Sequence, residues 1–317
     1  MSETVKEAAC RNAFTEELLK QADKDRNIVA LTSDATGSVS LGEFCQKLPG
    51  QFVEVGIAEQ NMVGIAAGLS TTGKKPFVCG PASFMAARSY EQVKVDVAYS
   101  KTNVKLVGVS GGVSYGALGE SHYSVQDIAS MRALANMTVI LPADAAQTTA
   151  ITRELCTFEG PVYVRIGRGK VASIYEGTEN FRIGKAHLLR NGSDITLIAT
   201  GEMVYVAQQA AIELEKEGIH ARVLDMFTVK PLDEAAIVKA AMETGAVLTV
   251  EEHSIYGGLG AAVAQIVVEN YPIPMRTLGF PSEVLVGGSP TEIKAHYGLN
   301  WENIAEECRK LLRKKRG

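Results

Sequence analysis

The sequence lacks the short motifs that mark most common enzyme chemistries. It contains no nucleotide-binding P-loop, no HExxH zinc motif and no cluster of cysteine and histidine with metal-ligand spacing. These absences argue against P-loop ATPases and zinc proteases, and they predict no metal site in this chain. Residues that carry chemistry must therefore be sought at positions far apart in the sequence.

Cysteines, long apolar runs and excess charge are also scarce. The five cysteines are scattered, without a CxxC pair, which predicts reduced thiols and a cytoplasmic location. No apolar run reaches the length of about 18 residues that a membrane span needs, and the polar N-terminal stretch has no signal-like apolar segment. The net charge of −4 gives no reason to expect a nucleic acid or a membrane as partner.

What the sequence does contain is the composition of a soluble globular protein, with 46% hydrophobic and 21% charged residues. Its 317 residues are enough for two domains. Short strand patterns alternate with helix patterns in both halves, which predicts an α/β fold with parallel sheets. Residues 168–194 lack a regular pattern and are interpreted as a linker, so we predict domains at 1–180 and 190–317.

The predicted elements follow from hydrophobic periodicity and from the positions of glycine and proline. In the first domain we predict strands over 27–32, 52–55, 76–79, 104–109, 138–141 and 162–166, and helices over 3–23, 56–69, 84–99, 125–135 and 144–157. In the second domain we predict strands over 195–199, 221–225, 246–251 and 275–278, and helices over 203–217, 233–243, 258–270, 290–296 and 301–314.

One helix stands out, because it is apolar nearly all round and yet carries Glu59 in its first turn. An acid there commonly does no more than stabilise the helix dipole, by up to about 1 kcal/mol. The positions three and four residues on are Met62 and Val63, so no local cation pairs with this carboxyl. We therefore expect a buried, unpaired carboxyl with a raised pKa, able to donate a proton. Gly64 and Gly68 would let another backbone approach the helix.

Polar and aromatic residues collect where the predicted strands of the first domain end. Ligands bind beyond the carboxyl ends of strands in open parallel sheets, so these residues are expected on one rim. The residues are Asp34, Ser38, Glu59, Phe84, His122 and Arg168. Each also has an ordinary alternative. The glycine-rich loop 110–123 could cradle phosphate or be a flexible surface loop, and Phe84 and Tyr90 could form an aromatic platform or simply pack in the core.

Several segments together resemble transketolases. In order they read VGIAEQNMVGIAAGL, SFMAARSYEQVKVDVAY, GESHYSVQDIASMRALANMTVILPAD, VYVRIGRGK and VEEHSIYGGLG. The likeness covers nearly the whole chain and is strongest to the separately encoded C-terminal subunit of split transketolases. It implies a pyrimidine-binding domain followed by the transketolase C-terminal domain. It also implies transfer of a two-carbon ketol unit from a ketose to an aldose with thiamine diphosphate as cofactor.

The resemblance also implies roles for individual residues. Glu59 falls on the family's catalytic glutamate, which hydrogen-bonds the aminopyrimidine N1′ of thiamine diphosphate. Phe84 falls on the aromatic that stacks on this ring, Tyr90 on its pocket lining, and Asp34 on an acid near the thiazolium. His122 falls on a catalytic-site histidine that contacts substrate hydroxyls. The family's sugar-phosphate contacts fall on Arg11, Ser38 and Arg168.

Two positions depart from the family pattern. Ser110 stands where the family usually has histidine or arginine, and Leu118 stands where it usually has aspartate. In the family these positions contact the substrate, so Ser110 remains a candidate substrate-binding residue. We therefore predict a substrate other than the ordinary pentose phosphates, for example a deoxy, branched or sulfonated sugar.

The family binds the cofactor's diphosphate and its metal through a Gly-Asp-Gly motif, which this sequence lacks. The resemblance therefore predicts a partner, the N-terminal transketolase subunit, which would hold Mg²⁺ or Ca²⁺, in a heterotetramer of two chains of each kind. The helix with Gly64 and Gly68 is expected at the contact with this partner.

Three other interpretations stay open. The β subunit of a 2-oxo acid dehydrogenase E1 has the same domain plan and also lacks the diphosphate motif. A 1-deoxyxylulose 5-phosphate synthase is related, but it is a single long chain. A non-catalytic half that only regulates a partner is allowed by Ser110 and Leu118, whereas Glu59, Phe84 and His122 argue against it.

Overall fold

The computed structural model describes residues 6–316 and contains two α/β units, which confirms the predicted fold class. Its strands form sheets of seven, five and two strands. The first unit comprises β1 (Glu7–Ala9), α1 (Cys10–Ala22), β2 (Ile28–Thr32), α2 (Gly42–Lys47), β3 (Phe52–Glu54), α3 (Glu59–Thr71), β4 (Lys75–Pro81), α4 (Ala82–Ala87), α5 (Tyr90–Gln92), a π-helix (Val93–Tyr99), β5 (Lys105–Val109), α6 (Asp127–Ala133), β6 (Thr138–Ile140), α7 (Ala145–Leu155), β7 (Val162–Ile166) and β8 (Lys170–Ala172).

The second unit begins after β8 and continues the alternation of strands and helices. It comprises β9 (His187–Arg190), β10 (Ile195–Ala199), α8 (Met203–Glu215), β11 (Ala221–Asp225), β12 (Thr228–Lys230), α9 (Glu234–Thr244), β13 (Val247–Ser254), α10 (Leu259–Asn270), β14 (Met275–Phe280), α11 (Pro290–His296) and α12 (Trp301–Arg316). None of the helices between residues 6 and 316 combines the length and apolar character needed to cross a bilayer.

The large sheet places the carboxyl ends of its parallel strands side by side. Its strand order is β12-β6-β7-β5-β4-β2-β3, and all neighbours are parallel except β12 and β6. The smaller sheet has the order β14-β13-β10-β11-β9 and is parallel except for β9. The strands β2, β5, β7 and β10 are buried along their whole length, as expected for strands covered by helices on both faces.

Two predicted helices differ from the structure in their extent. The helix predicted over 3–23 begins at Cys10, because residues 7–9 pair as β1 with β8, and residues 3–5 lie outside the described range. The helix predicted over 84–99 is interrupted after Ala87. There the Ser89 hydroxyl donates to the Met85 carbonyl at 2.8 Å, a bond that competes with the regular helix and bends it.

The segment interpreted as a linker carries structure as well. It contains β8 and β9, and β8 closes the small sheet with β1. In addition, β12 leaves the second unit and pairs with β6 at the edge of the large sheet. The two units therefore share a sheet as well as an interface, and domain boundaries near residues 180 and 190 stay a prediction.

A buried arginine joins the two units. The Arg165 guanidinium lies on β7, 3.4 Å from Asp127 Oδ1, and it donates to the Glu252 carbonyl at 2.6 Å. Burial alone would lower the pKa of Arg165, but the charges of Asp127 and Glu252 outweigh burial and raise it. Because removing one partner of such a buried group leaves an uncompensated charge, this cluster resists separation of the units.

Close packing on this arginine explains the first glycines of the loop 110–123. A Cβ added at Gly111 would overlap the Arg165 side chain, and one at Gly112 would overlap the Glu252 carboxyl. Gly112 also has a φ of +61°, which glycine adopts without strain. Glu252 Oε1 accepts the backbone N–H of Val113 at 2.9 Å, so the loop is anchored rather than flexible at its start.

A second buried cluster surrounds Asp225 at the end of β11. Its Oδ2 accepts hydrogen bonds from Gln147 Nε2 and from the Tyr175 hydroxyl, both at 2.7 Å, while Oδ1 has no partner among the described residues. Burial raises the pKa of Asp225 from 3.8 to about 7. The folded chain therefore retains a proton that the unfolded chain loses, and this carboxyl's contribution to stability declines as pH rises through that interval.

We expect Asp225→Asn to stabilise the fold at pH 8, and to do so less at pH 5. The amide oxygen keeps both hydrogen bonds without a buried charge, and the gain reaches a few kcal/mol, since each pKa unit corresponds to about 1.4 kcal/mol. Denaturant unfolding of both proteins at the two pH values measures this, with the exposed Asp23→Asn as control. A variant less stable than the parent at pH 8 would contradict it.

Candidate functional site

The rim of the large sheet carries the predicted site, and α3 presents its acid. Glu59 is the first residue of α3 and its side chain is buried, with 3% of the residue exposed. The helix is not apolar all round, however. Gln60, Asn61 and Gly68 lie exposed on one face, while Met62 and Val63 are buried on the other. One face of α3 is therefore open to solvent in the chain by itself.

The expectation that Glu59 lacks a cation is wrong. Arg88 Nη1 donates to Glu59 Oε1 at 2.7 Å. Arg88 lies directly after α4, at the break between α4 and α5, and it is 29 residues from Glu59 in sequence. Helical neighbours at three and four residues could not reveal it, because the partner is supplied by tertiary structure.

Arg88 also contacts the predicted stacking residue. Its guanidinium carbon lies 4.4 Å from the centroid of the Phe84 ring. A guanidinium is a planar N–C–N group with N–H donors along its edge. Glu59 and Phe84 thus already hold a planar nitrogen group between a carboxylate and an aromatic face. An aminopyrimidine offers the same planar shape and a similar N–C–N edge, so these two residues fit the ring that the resemblance implies.

Aromatic contacts continue from Phe84 along the rim. The rings of Phe84 and His122 lie edge to face with centroids 5.3 Å apart, and those of His122 and Tyr115 with centroids 5.6 Å apart. The Arg168 guanidinium carbon lies 4.9 Å from the centroid of the Tyr115 ring, within range of a cation–π interaction. His122 Nδ1 lies 3.0 Å from the Ser121 hydroxyl.

Two arginines converge at the far end of this row. Arg11 Nη1 donates to the Ser38 carbonyl at 3.0 Å, which brings these two predicted residues together. Burial, and then the nearby positive charge of Arg168, lower the pKa of Arg11. Two guanidinium groups close enough to repel each other favour an anionic ligand, since a phosphate or sulfonate between them would relieve the repulsion.

The loop of Asp34 is organised by an acid that the sequence reasoning did not single out. Glu54 ends β3, and its Oε1 accepts the backbone N–H of Asp34 at 2.7 Å and that of Gly56 at 3.0 Å. Asp34 has a φ of +53° and an exposed side chain. Left-handed backbone at a non-glycine residue is unusual and is concentrated at functional sites. The described contacts of Asp34 do not reach the row of residues from Glu59 to Arg168.

Ser110 and Leu118, the two departures from the family pattern, lie in different environments. Ser110 follows β5 with a φ of +63°, is 1% exposed, and its hydroxyl has no partner among the described residues. Leu118 ends a short 3₁₀ turn and is 53% exposed. Ser110 thus offers a buried, unused hydroxyl at the rim, whereas Leu118 offers an apolar surface at its outer edge.

Tyr90 lies apart from the row. Its hydroxyl donates to the Ser130 carbonyl at 3.1 Å, which turns the ring towards α6. Together with Ser83, Glu120 and Ser124 it lines a neighbouring cavity of about 390 Å³. The structure therefore connects Glu59, Phe84, His122 and Arg168 through described contacts, pairs Arg11 with Ser38, and leaves Tyr90, Asp34 and Ser110 outside them. Arg11 is linked to Arg168 only through the effect of its charge on the pKa of Arg11.

Sequence reasoning missed two residues that complete the row, Arg88 and Tyr115. Each had a weak signal. Arg88 is four residues after Phe84, at helical spacing, and Tyr115 is an aromatic inside a glycine-rich loop. Neither signal is specific enough to assign a site without the contacts. Within residues 6–316 no group of three or more histidine, cysteine, aspartate or glutamate residues is placed to hold a metal ion.

Comparisons with known proteins agree with this arrangement. The family model for the transketolase pyrimidine binding domain matches residues 6–173, and that for the transketolase C-terminal domain matches residues 184–304. The first match contains the whole row of residues described above. This family uses thiamine diphosphate, and the matched domain is the one that binds the pyrimidine end of that cofactor.

Two similar proteins are named as transketolase subunits. The chain is 54% identical over 307 residues to an apulose-4-phosphate transketolase subunit of Phocaeicola vulgatus, covering 96% of this chain and 98% of the relative. It is 41% identical over 305 residues to a 6-deoxy-6-sulfo-D-fructose transketolase subunit of Clostridium sp. strain MSTE9, covering 96% and 95%.

A solved structure of a split transketolase is also similar to this chain. It is described as a split gene transketolase, inactive beta4 tetramer, and superposes with a TM-score of 0.90 at 41% identity, covering 97% of this chain and 99% of the other. Such agreement over nearly the full length of separately encoded subunits extends to the order of the domains. The chain therefore belongs to the transketolase family, as the C-terminal half of a transketolase that is divided between separate chains.

Proposed function

We propose that this chain, assembled with an N-terminal subunit, transfers a two-carbon ketol unit from a ketose phosphate to an aldose acceptor. The observation that carries the proposal is the contact row from Glu59 through Phe84 and His122 to Arg168. It connects a site for a planar nitrogen ring with a pair of cations suited to an anionic substrate. The two named subunit relatives are transketolases, which favours a sugar substrate over a 2-oxo acid.

Glu59 and Phe84 bind the aminopyrimidine end of thiamine diphosphate in this proposal. Thiamine diphosphate supplies a stabilised carbon nucleophile that cleaves the bond beside a ketose carbonyl. Phe84 offers one face for stacking, and Glu59 hydrogen-bonds the ring nitrogen from a buried position that excludes water from the bond. Tyr90 remains a candidate for the outer lining of this pocket, and Asp34 for a group near the other end of the cofactor.

The remaining residues position the sugar. Arg11 and Arg168 bind its phosphate or sulfonate, because two repelling guanidinium groups are stabilised by an anion between them. His122 lies between this anion site and Phe84, so its ring reaches hydroxyls of a sugar that spans the two. Ser38 is held at Arg11 through its carbonyl, and Ser110 adds a buried hydroxyl.

The partner supplies what this chain lacks. The diphosphate and its Mg²⁺ or Ca²⁺ are held by the N-terminal subunit, since this sequence has no Gly-Asp-Gly motif. The contact with the N-terminal subunit is formed by the exposed face of α3, which lies beside Glu59. This face carries Gln60, Asn61 and Gly68, and Ile57 just before the helix is 76% exposed. The tetrameric state of the solved neighbour supports assembly of such chains, and its description as inactive is consistent with a missing half.

We expect Glu59→Gln to lower turnover of the reconstituted enzyme by roughly 100-fold or more, the scale of a lost catalytic proton-transfer group. The amide keeps the size of the side chain but cannot exchange a proton with the ring. Initial rates at saturating cofactor measure the effect, and Glu43→Gln, which changes an exposed surface glutamate, is the control. Unchanged turnover in Glu59→Gln and in Glu59→Ala would favour the non-catalytic, regulatory alternative.

The purified chain alone is expected to show no transketolase activity, and mixing with its N-terminal subunit is expected to restore it. The reason is that one chain can bind only one end of the cofactor. Activity assays at varied ratios of the two subunits, combined with mass measurement by light scattering, give both the stoichiometry and the requirement. Full activity from this chain alone would refute the divided site.

The substrate is expected to differ from the ordinary pentose phosphates, because Ser110 and Leu118 replace charged residues of the family pattern. Relatives are named for apulose 4-phosphate and 6-deoxy-6-sulfo-D-fructose. Apulose 4-phosphate, 6-deoxy-6-sulfo-D-fructose and xylulose 5-phosphate should each be assayed with several aldoses. Apulose 4-phosphate should give the highest rate. Xylulose 5-phosphate with ribose 5-phosphate as the best pair would contradict this prediction.

A further inference from the structure

Two groups assigned to the cofactor ring are engaged with another part of the same chain. Arg88 donates to Glu59 Oε1 at 2.7 Å and lies over the Phe84 ring at 4.4 Å. We propose that Arg88 competes with the aminopyrimidine for this site. Its guanidinium occupies the ring site in the cofactor-free chain and moves into solvent when the ring binds. The inference rests on the proposed function, since it assumes that Glu59 and Phe84 bind this ring.

The competition follows from shape and from hydrogen-bonding capacity. A guanidinium and an aminopyrimidine are both flat, both stack on an aromatic face, and both meet a carboxyl oxygen through a nitrogen edge. Glu59 Oε1 and the covered face of Phe84 cannot make these contacts with both groups in the same place. Binding of the ring therefore requires Arg88 to give up at least one of its two contacts.

The position of Arg88 in the fold allows it to move. Its side chain is 46% exposed, whereas that of Glu59 is 4% exposed, so the arginine is the partner with access to solvent. It follows the last residue of α4, at the point where the Ser89 bond to Met85 interrupts the helix. Half-exposed ion pairs and cation–π contacts are individually weak, so a bound ring can displace them.

The test compares pyrimidine binding by full-length variants with and without the guanidinium. The probe is 4-amino-5-hydroxymethyl-2-methylpyrimidine, the ring portion of the cofactor, titrated calorimetrically into the purified chain. Arg88→Ala should bind it roughly fivefold to tenfold more tightly than the parent, because the fraction of molecules with an open ring site rises. Arg88→Lys should bind with intermediate affinity, since an ammonium pairs with Glu59 but cannot stack as a plane.

Arg26→Ala removes an exposed arginine from the same domain and should leave the affinity unchanged. Arg88→Gln provides the same measurement with less change in volume, should the alanine variant not fold. In the unsubstituted chain, the Arg88 Nε–H signal in an NMR spectrum should shift and exchange faster with water as the probe is added, because the group becomes solvated.

Equal or weaker binding by Arg88→Ala and Arg88→Gln would overturn the inference, since Arg88 would then be neutral or part of the ring-bound site. That outcome leaves the proposed function intact. Another outcome would refute the proposed function as well as the inference about Arg88. If the probe binds none of the variants and thiamine diphosphate does not bind the reconstituted pair, the proposed function fails, and the competitor inference fails with it.

Discussion

The buried guanidinium of Arg165 is the constraint on which the site depends. It lies between Asp127 of α6 and Glu252 of β13, so a single side chain joins the two α/β units. The first residues of the loop 110–123 pack directly on it, and only glycine fits there. Because a buried charge without partners is costly, the arginine, both acids and the loop above them form one rigid assembly.

This rigidity determines where the functional side chains lie. The loop leaves its anchor at Gly112 and Val113, and then presents Tyr115 and His122 towards Phe84 and Arg168. The C-terminal unit therefore contributes to the site without supplying any of its predicted residues. Its Glu252 fixes the start of a loop that belongs to the first unit. An isolated first domain would leave Arg165 without one of its two acidic neighbours.

The sequence predicted the position of Glu59, the first residue of α3, but not its surroundings. Its place before an apolar helix, after a short strand, was readable from residues 52–72, and it is buried as expected. Its partner was not readable, because Arg88 lies at the break between α4 and α5, which is close in space and distant in sequence. Tyr115 was likewise not predictable from the sequence, because its contacts exist only once the loop has folded. Arg168 was predictable, because it comes directly after the end of β7.

The sequence by itself determined the alternation of strands and helices, the order of the two units, and the rim on which polar residues collect. Those features depend on periodicity and on strand polarity, which are local properties. Tertiary structure decided which of these residues meet. It paired β1 with β8 and β12 with β6, and brought Arg88 to Glu59 and Arg11 near Arg168. Contacts of this kind depend on how elements pack, and side-chain charge or shape in one segment does not specify its partner in another.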